Sequence, residues 1–181
     1  MRPVAEQANR RTMRQLPRAT TVDRLAVVCV VCFILVLGIS AYWDASIRVL
    51  HVFEALPYAL AAVLCVRQRK PGYMLGAASG GFWLWMAGTQ TSFVRNGFER
   101  LMMLITSGDV DRWDVFIAAP AALSTGGLVL FSLWGYSRLP SKRPVDSVYF
   151  GAVLAMVASF FWVIFWLFAP QYLTLFKRLI T

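Results

Sequence analysis

Charged side chains are scarce in this chain of 181 residues, because only 15% of them are Asp, Glu, Lys or Arg. Ordinary globular domains have about 25%. Hydrophobic residues make up 59% of the chain. Such a composition excludes both a water-soluble domain and a disordered segment. It predicts an integral membrane protein.

Residues that carry catalysis are also few. The chain has one histidine, His51, and its sequence has no phosphate-binding loop, nucleophile elbow, HExxH motif or dinucleotide fingerprint. One imidazole is too few for a self-contained metalloenzyme, or for a haem held between two histidines of the same chain. We therefore expect a protein that is not an enzyme, without catalytic residues and without a resident metal.

Apolar runs of the length that crosses a bilayer, about 20 residues, occur five times. Charged residues delimit them, because a charge at the bilayer centre is costly. The predicted spans are residues 25–43, 49–66, 72–94, 115–137 and 147–169, which together form a bundle over residues 25–169. The predicted fold class is an all-α integral membrane protein, a bundle of about five transmembrane helices. A four-span form with a re-entrant second segment is the alternative.

Segments outside the spans have patterns of their own. Apolar residues recur at helical spacing from Phe98 to Ile105, which predicts a short amphipathic helix in the membrane interface that ends near Ser107. Residues 170–181 have a similar stripe and form a predicted amphipathic tail. Residues 1–24 form a basic amino-terminal arm.

Basic residues are distributed unevenly among the predicted loops. The arm and the loops after the second and fourth spans carry two thirds of all Lys and Arg. Because basic loops stay in the cytoplasm, we predict a cytoplasmic amino terminus and a periplasmic carboxyl terminus. Arg outnumbers Lys, which favours a bacterial inner membrane, with the mitochondrial inner membrane as the alternative. Topology and lipid headgroups thus explain the net charge of +9 without a nucleic-acid partner.

Ionisable groups within an apolar run are concentrated in the second predicted span. Arg48, His51 and Glu54 are spaced at i, i+3 and i+6, which places them on adjoining turns of one broad helix face. We expect Gln90 and Arg95, at the outer end of the third span, to lie in the same leaflet. Glu54 would then pair with Arg95 or Arg48. Ionisable groups inside a membrane indicate function by default, because burying them is costly.

Three interpretations of this polar intramembrane site stay open. The side chains pair with one another and fix how the helices pack. Alternatively, Glu54 and His51 form a proton or transport site, since imidazole titrates near neutrality. In the third, His51 is the axial ligand of a haem or a chlorophyll-type pigment whose second ligand comes from elsewhere. Apart from that third interpretation, no cofactor is predicted.

Glycines are concentrated in the third and fourth spans, where they let helix backbones approach closely. The third span contains a GxxxGxxxG pattern. The predicted helix-packing positions are Gly72, Gly76, Gly80, Gly81, Gly126 and Gly127. We expect these two spans to pack on each other.

These features favour a non-catalytic accessory or structural subunit of a larger membrane complex of the respiratory, photosynthetic or transport type. Its partners would be other integral membrane subunits and lipids. A small transporter or proton-coupled permease component that uses Glu54 and His51 is the alternative. A haem- or pigment-binding subunit is the further alternative.

Overall fold

The structure, a computed structural model, describes residues 19–140 and 142–170. Helix accounts for 85% of these residues, and none of them lies in a strand. The prediction of an all-helical protein is therefore confirmed for this part of the chain. Most of the predicted basic arm and all but the first residue of the predicted tail lie outside the described residues.

Seven α-helices are found within the described part of the chain. They are α1 (Thr21–Trp43), α2 (Arg48–Val66), α3 (Lys70–Trp85), α4 (Phe93–Ser107), the single turn α5 (Trp113–Phe116), α6 (Ala118–Ser137) and α7 (Asp146–Phe168). A 3₁₀ turn, Ala45–Ile47, leads into α2. A π-helical turn, Met86–Gln90, extends α3.

Four helical stretches of the described chain are long and apolar enough to cross a membrane. They are Thr21–Trp43, Ala45–Val66, Trp113–Ser137 and Asp146–Phe168. They coincide with the first, second, fourth and fifth predicted spans to within a few residues at each end. These helices suggest a membrane location for the chain.

The third predicted span ends earlier than expected. α3 has 16 residues, the π-helical turn continues it to Gln90, and Thr91 is extended. The hydroxyls of Thr89 and Thr91 donate to the carbonyls of Trp85 (2.5 Å) and Ala87 (2.7 Å). Such bonds compete with the helical ladder. The prediction of one helix through residue 94 is therefore wrong at its carboxyl end.

The helix α3 lies at the centre of the bundle. Every residue from Gly72 to Gly80 is buried, and α3 packs against α2, α6 and α7. α1 packs on α2 and α6 at one side of this arrangement. Because six of the nine residues from Gly72 to Gly80 are Gly, Ala or Ser, several helices can surround this part of α3 closely.

Aromatic rings fill the core where α1, α2 and α3 meet. The Phe33 ring lies 4.5 Å from that of Tyr58 and 5.2 Å from that of Trp83, measured between centroids. The Tyr58 hydroxyl donates to the Ser79 carbonyl at 3.0 Å. These contacts fix the rotation of α2 relative to α3, because a buried hydroxyl needs its acceptor.

Buried carboxylates organise the end of the bundle where α1 begins and where the α2–α3 and α6–α7 connections lie, here called the basic end. Asp23 is 1% exposed and caps α1 together with Thr20. It also accepts from the Tyr73 hydroxyl (2.6 Å) and from the Gln68 amide (3.2 Å). Asp23 thereby joins α1 to the α2–α3 connection.

A second carboxylate at the basic end joins α3 to α7. Asp146, the first residue of α7, lies 2.7 Å from the Lys70 ammonium, and its Oδ2 also accepts from the Tyr136 hydroxyl at 2.8 Å. It is 6% exposed. Three helices, α3, α6 and α7, therefore converge on one acidic side chain.

The helix expected after the third span is present as α4. It begins at Phe93, earlier than the apolar pattern suggested, and it ends at Ser107 as predicted. Gly108 follows with φ 74°, a left-handed conformation that glycine adopts without strain. α4 packs on α6, where Gly97 lies against Ala118.

Four of the six predicted packing glycines lie against neighbouring helices of the same chain. Gly72 faces the carboxyl end of α2, whereas Gly76 and Gly80 face α6. Gly127 of α6 faces Cys29 of α1. A Cβ added at Gly81 or Gly126 would meet nothing within 4 Å.

We predict opposite effects for two alanine substitutions in α3. In Gly72→Ala the new Cβ would lie 2.6 Å from the Leu64 carbonyl carbon, so α2 and α3 must separate, at a cost of about 1–3 kcal/mol. Gly81→Ala meets open space and should be neutral or stabilising by up to about 1 kcal/mol. Unfolding of the purified variants in detergent measures both. Equal destabilisation by the two would contradict the packing at Gly72.

Candidate functional site

The connection between α1 and α2 determines which residues face each other at the opposite end of the bundle. Asp44 accepts from the Ser46 backbone N–H (2.9 Å) and hydroxyl (2.6 Å), which stabilises the 3₁₀ turn. These hydrogen bonds lower the pKa of the Asp44 carboxyl. The tight turn brings the last turn of α1, with Ser40, against the first turn of α2, with His51.

His51 links two helices through both ring nitrogens. Its Nδ1 lies 2.6 Å from Glu54 Oε2, one turn further along α2, and its Nε2 lies 3.1 Å from Ser40 Oγ on α1. Glu54 is 3% exposed and His51 is partly buried. The buried Glu54 carboxylate therefore has a hydrogen-bonding partner, His51, which a contact with α1 holds in place.

One protonation pattern satisfies all three side chains. With the proton on Nδ1, the imidazole donates to the Glu54 carboxylate, and Nε2 accepts from the Ser40 hydroxyl. With both ring nitrogens protonated, the same geometry is an imidazolium–carboxylate ion pair. Only Oε2 enters this contact, so Oε1 is a further acceptor for a group in front of Glu54.

A cavity of about 440 Å³ opens in front of this pair. Its walls come from α1, α2, the π-helical turn, α4, α5 and the ends of α6 and α7. The polar lining residues are Ser40, Asp44, His51, Glu54, Gln90, Thr91, Ser92, Asn96 and Asp114. The aromatic lining residues are Trp43, Trp83, Phe93 and Phe165. Its volume lies within the range of about 300–1,000 Å³ that is usual for small-molecule sites.

The structure brings together three of the five residues predicted for the polar site. His51, Glu54 and Gln90 all line the cavity. The Gln90 amide donates to the Thr89 hydroxyl at 3.0 Å. Gln90 reaches the cavity because the π-helical turn ends there.

The two arginines are placed differently from the prediction, since neither pairs with Glu54. Arg48 donates from Nε to the Ala41 carbonyl at 3.0 Å. Carbonyls in the last turn of a helix lack helical partners and attract cations, which explains this contact. Arg95 lies beyond the helix break, with its side chain 77% exposed and its Nε 3.7 Å from Glu99 Oε1. The structure pairs Glu54 with His51 instead.

Sequence reasoning missed Ser40 as a site residue. It precedes His51 by eleven positions, and a serine in an apolar helix usually bonds to its own backbone, so no spacing rule singles it out. Sequence reasoning also missed that Asp23 joins α1 to the α2–α3 connection at the basic end. There a signal existed, because Thr20 and Asp23 have the spacing of a capping box.

Ser40, His51 and Glu54 are linked in the same order as the nucleophile, base and acid of a hydrolase triad. Acyl transfer also needs N–H donors for an oxyanion, often the amide of the nucleophile itself. Ser40 lies inside α1, where its amide belongs to the helical ladder. The arrangement is better suited to binding a polar group and exchanging protons with it.

Axial ligation of a haem or chlorophyll requires a ring nitrogen with a lone pair directed at the metal. Both nitrogens of His51 are engaged within the protein. A pigment would have to displace Ser40 from Nε2. With Nδ1 bonded to a carboxylate, His51 has the orientation that ligating histidines often have, so axial ligation through Nε2 stays a prediction.

Comparison of the chain with family models, curated proteins and solved structures finds no match. Among the described residues, the cavity with its buried His51–Glu54 pair is the feature that suggests a function.

We predict that the pair is energetically coupled. His51→Ala should lower the free energy of unfolding by about 2 kcal/mol or more, because it leaves a buried carboxylate without its partner. Adding Glu54→Gln to this variant should restore part of the loss. A double-mutant cycle, measured by unfolding in mixed detergent micelles, gives the coupling. Strictly additive effects would contradict a direct interaction.

Proposed function

We propose that the chain is an integral membrane protein with five crossings, in which α3 and the π-helical turn form the third. The stretch Lys70–Gln90 is about 30 Å long at 1.5 Å per residue, which matches the hydrocarbon thickness. Irregular backbone at membrane depth is tolerated where protein or a polar cavity surrounds it. The break at Thr91 lies on the cavity wall, which meets this condition.

The proposed orientation places the basic end in the cytoplasm and the cavity on the periplasmic side of a bacterial inner membrane. Supporting it, seven described Lys and Arg residues lie at the basic end, whereas four, Arg48, Arg95, Arg100 and Arg112, lie towards the other end. Retention of basic loops in the cytoplasm favours this arrangement. The mitochondrial inner membrane is the alternative location.

Within this frame, the proposed function is binding of a small polar solute in the cavity, as a small transporter or a component of a permease. The observation that supports it is the buried Glu54–His51 pair on the wall of a 440 Å³ cavity. A carboxylate within a membrane span is costly to keep and marks solute or proton pathways in membrane proteins. In this proposal Glu54 is the titrating group, and His51 relays a proton between Glu54 and Ser40 or the solute.

The test uses proteoliposomes with an imposed pH gradient and a panel of small cationic, neutral and anionic solutes. At least one solute should produce a proton-coupled current with the wild-type protein. Glu54→Gln should abolish that current, because the amide cannot carry the proton. Glu99→Gln is the matched control, since Glu99 is 56% exposed and lies outside the cavity. Equal currents for wild-type protein and Glu54→Gln would contradict the proposal.

A second candidate function is the accessory or structural subunit expected from composition. Its support is the outward surface of α7, where Val148, Tyr149, Trp162 and Trp166 are between 48% and 69% exposed. Other integral membrane subunits or lipid chains would cover this surface. Aromatic rings are favoured at such subunit contacts because they supply large contact areas.

Gentle solubilisation from native membranes separates the two candidates. An accessory subunit should elute in a large assembly with stoichiometric partners, and Trp166→Ala should weaken that assembly without unfolding the chain. A small colourless peak of this chain alone would remove the support for the accessory role. Visible absorbance in the peak would instead favour the pigment alternative.

A further inference from the structure

We infer that the cavity takes a small organic monocation with a compact ammonium head, bound between Glu54 and the aromatic walls. This inference rests on the proposed function and names the class of its solute. Three features carry it: the charge of the lining, the aromatic rings and the free acceptor of a deeply buried carboxylate.

The lining has three acidic side chains, and its basic side chain is His51, which is bonded to Glu54. Glu54, Asp44 and Asp114 line the cavity, and none of the described lining residues is Lys or Arg. Arg112 lies outside this set and pairs with Asp114. Asp44 accepts only from Ser46 among its described hydrogen bonds, and the charge that acts on it from the cavity lining is that of His51. An anion entering this cavity would meet these carboxylates and would find no Lys or Arg among the described lining residues.

Four aromatic residues line the cavity, and its two tryptophans differ in exposure. Trp83 is 6% exposed and belongs to the core, whereas Trp43 is 48% exposed and lies in the last turn of α1. Phe93 and Phe165 complete the aromatic lining. Aromatic faces attract cations, most strongly those of tryptophan, and aromatic cages with nearby carboxylates bind ammonium heads.

Glu54 supplies the counter-charge at the inner end. It is 3% exposed, and its hydrogen bond to His51 occupies Oε2 alone. Oε1 is therefore available to a cation in front of the pair. An ammonium head places positive charge against this oxygen, and a primary ammonium also donates a hydrogen bond to it, whereas a neutral solute supplies no counter-charge to the carboxylate.

The experiment compares three probes of nearly equal shape by calorimetric titration of the full chain in lipid nanodiscs. The probes are choline, its uncharged carbon analogue 3,3-dimethylbutan-1-ol, and the anion 3,3-dimethylbutanoate. Choline should bind at least about tenfold more tightly than the alcohol, and the anion should show no binding. This ranking follows from the charge of the lining, since the three differ little in size.

Variants test whether choline affinity depends on Glu54 and Trp43. Glu54→Gln should weaken choline binding about tenfold or more, while Glu99→Gln should leave it unchanged. Trp43→Leu should weaken it about two- to fivefold through the lost cation–π contact. Trp166→Leu is its control, because Trp166 is also exposed and lies outside the cavity.

The outcomes distinguish failure of the ammonium-cation inference from failure of the proposed solute-binding function. If the alcohol or the anion binds as tightly as choline, the cation class is overturned while solute binding stands. The same holds if Glu54→Gln leaves choline affinity unchanged. If none of the probes binds, and the wider solute panel in proteoliposomes gives no current either, both proposals fail. A current for a neutral or anionic solute without choline binding overturns the inference alone.

Discussion

The close approach of other helices to α3 is the constraint on which the rest of the structure depends. Lipid removes most of the hydrophobic force between helices, so packing contacts and buried hydrogen bonds must hold the bundle together. Residues with little or no side chain permit that approach along α3, and Tyr58, Asp23 and Asp146 add polar contacts around it. The cavity lies beside the π-helical turn, where the regular helix of α3 ends.

The buried carboxylates at the two ends of the bundle differ in how many hydrogen-bond donors surround them. At the basic end, Asp23 and Asp146 are each surrounded by several donors and join elements of the fold. At the cavity end, Glu54 has one partner and a second oxygen without one among the described residues. A fully satisfied carboxylate stabilises, whereas a partly satisfied one has capacity left for a ligand.

Much of the fold could be predicted from the sequence, because the cost of burying charge limits where apolar helices begin and end. α1, α2, α6 and α7 follow from that rule, and the pairing of Glu54 did not. Arg48 and Arg95 were attractive partners by charge, yet their positions beside a helix end and beyond a helix break direct them elsewhere. Ser40 is brought to His51 by a three-dimensional turn, which residue spacing does not report. The helix break at Thr91 lies between small polar residues whose hydroxyls bond to carbonyls, and hydropathy reads this stretch as continuous with the span.

The π-helical turn at the end of α3 holds an extra residue compared with a regular helical turn. A one-residue deletion in this turn would remove the extra residue and leave a regular α-helical turn. Side chains within the turn would then take new directions, and the cavity lining would change with them. The buried glycine surface of α3 would be untouched, since it ends before the turn. A change of length at this position would therefore alter the cavity lining while the packed core of the bundle stays the same.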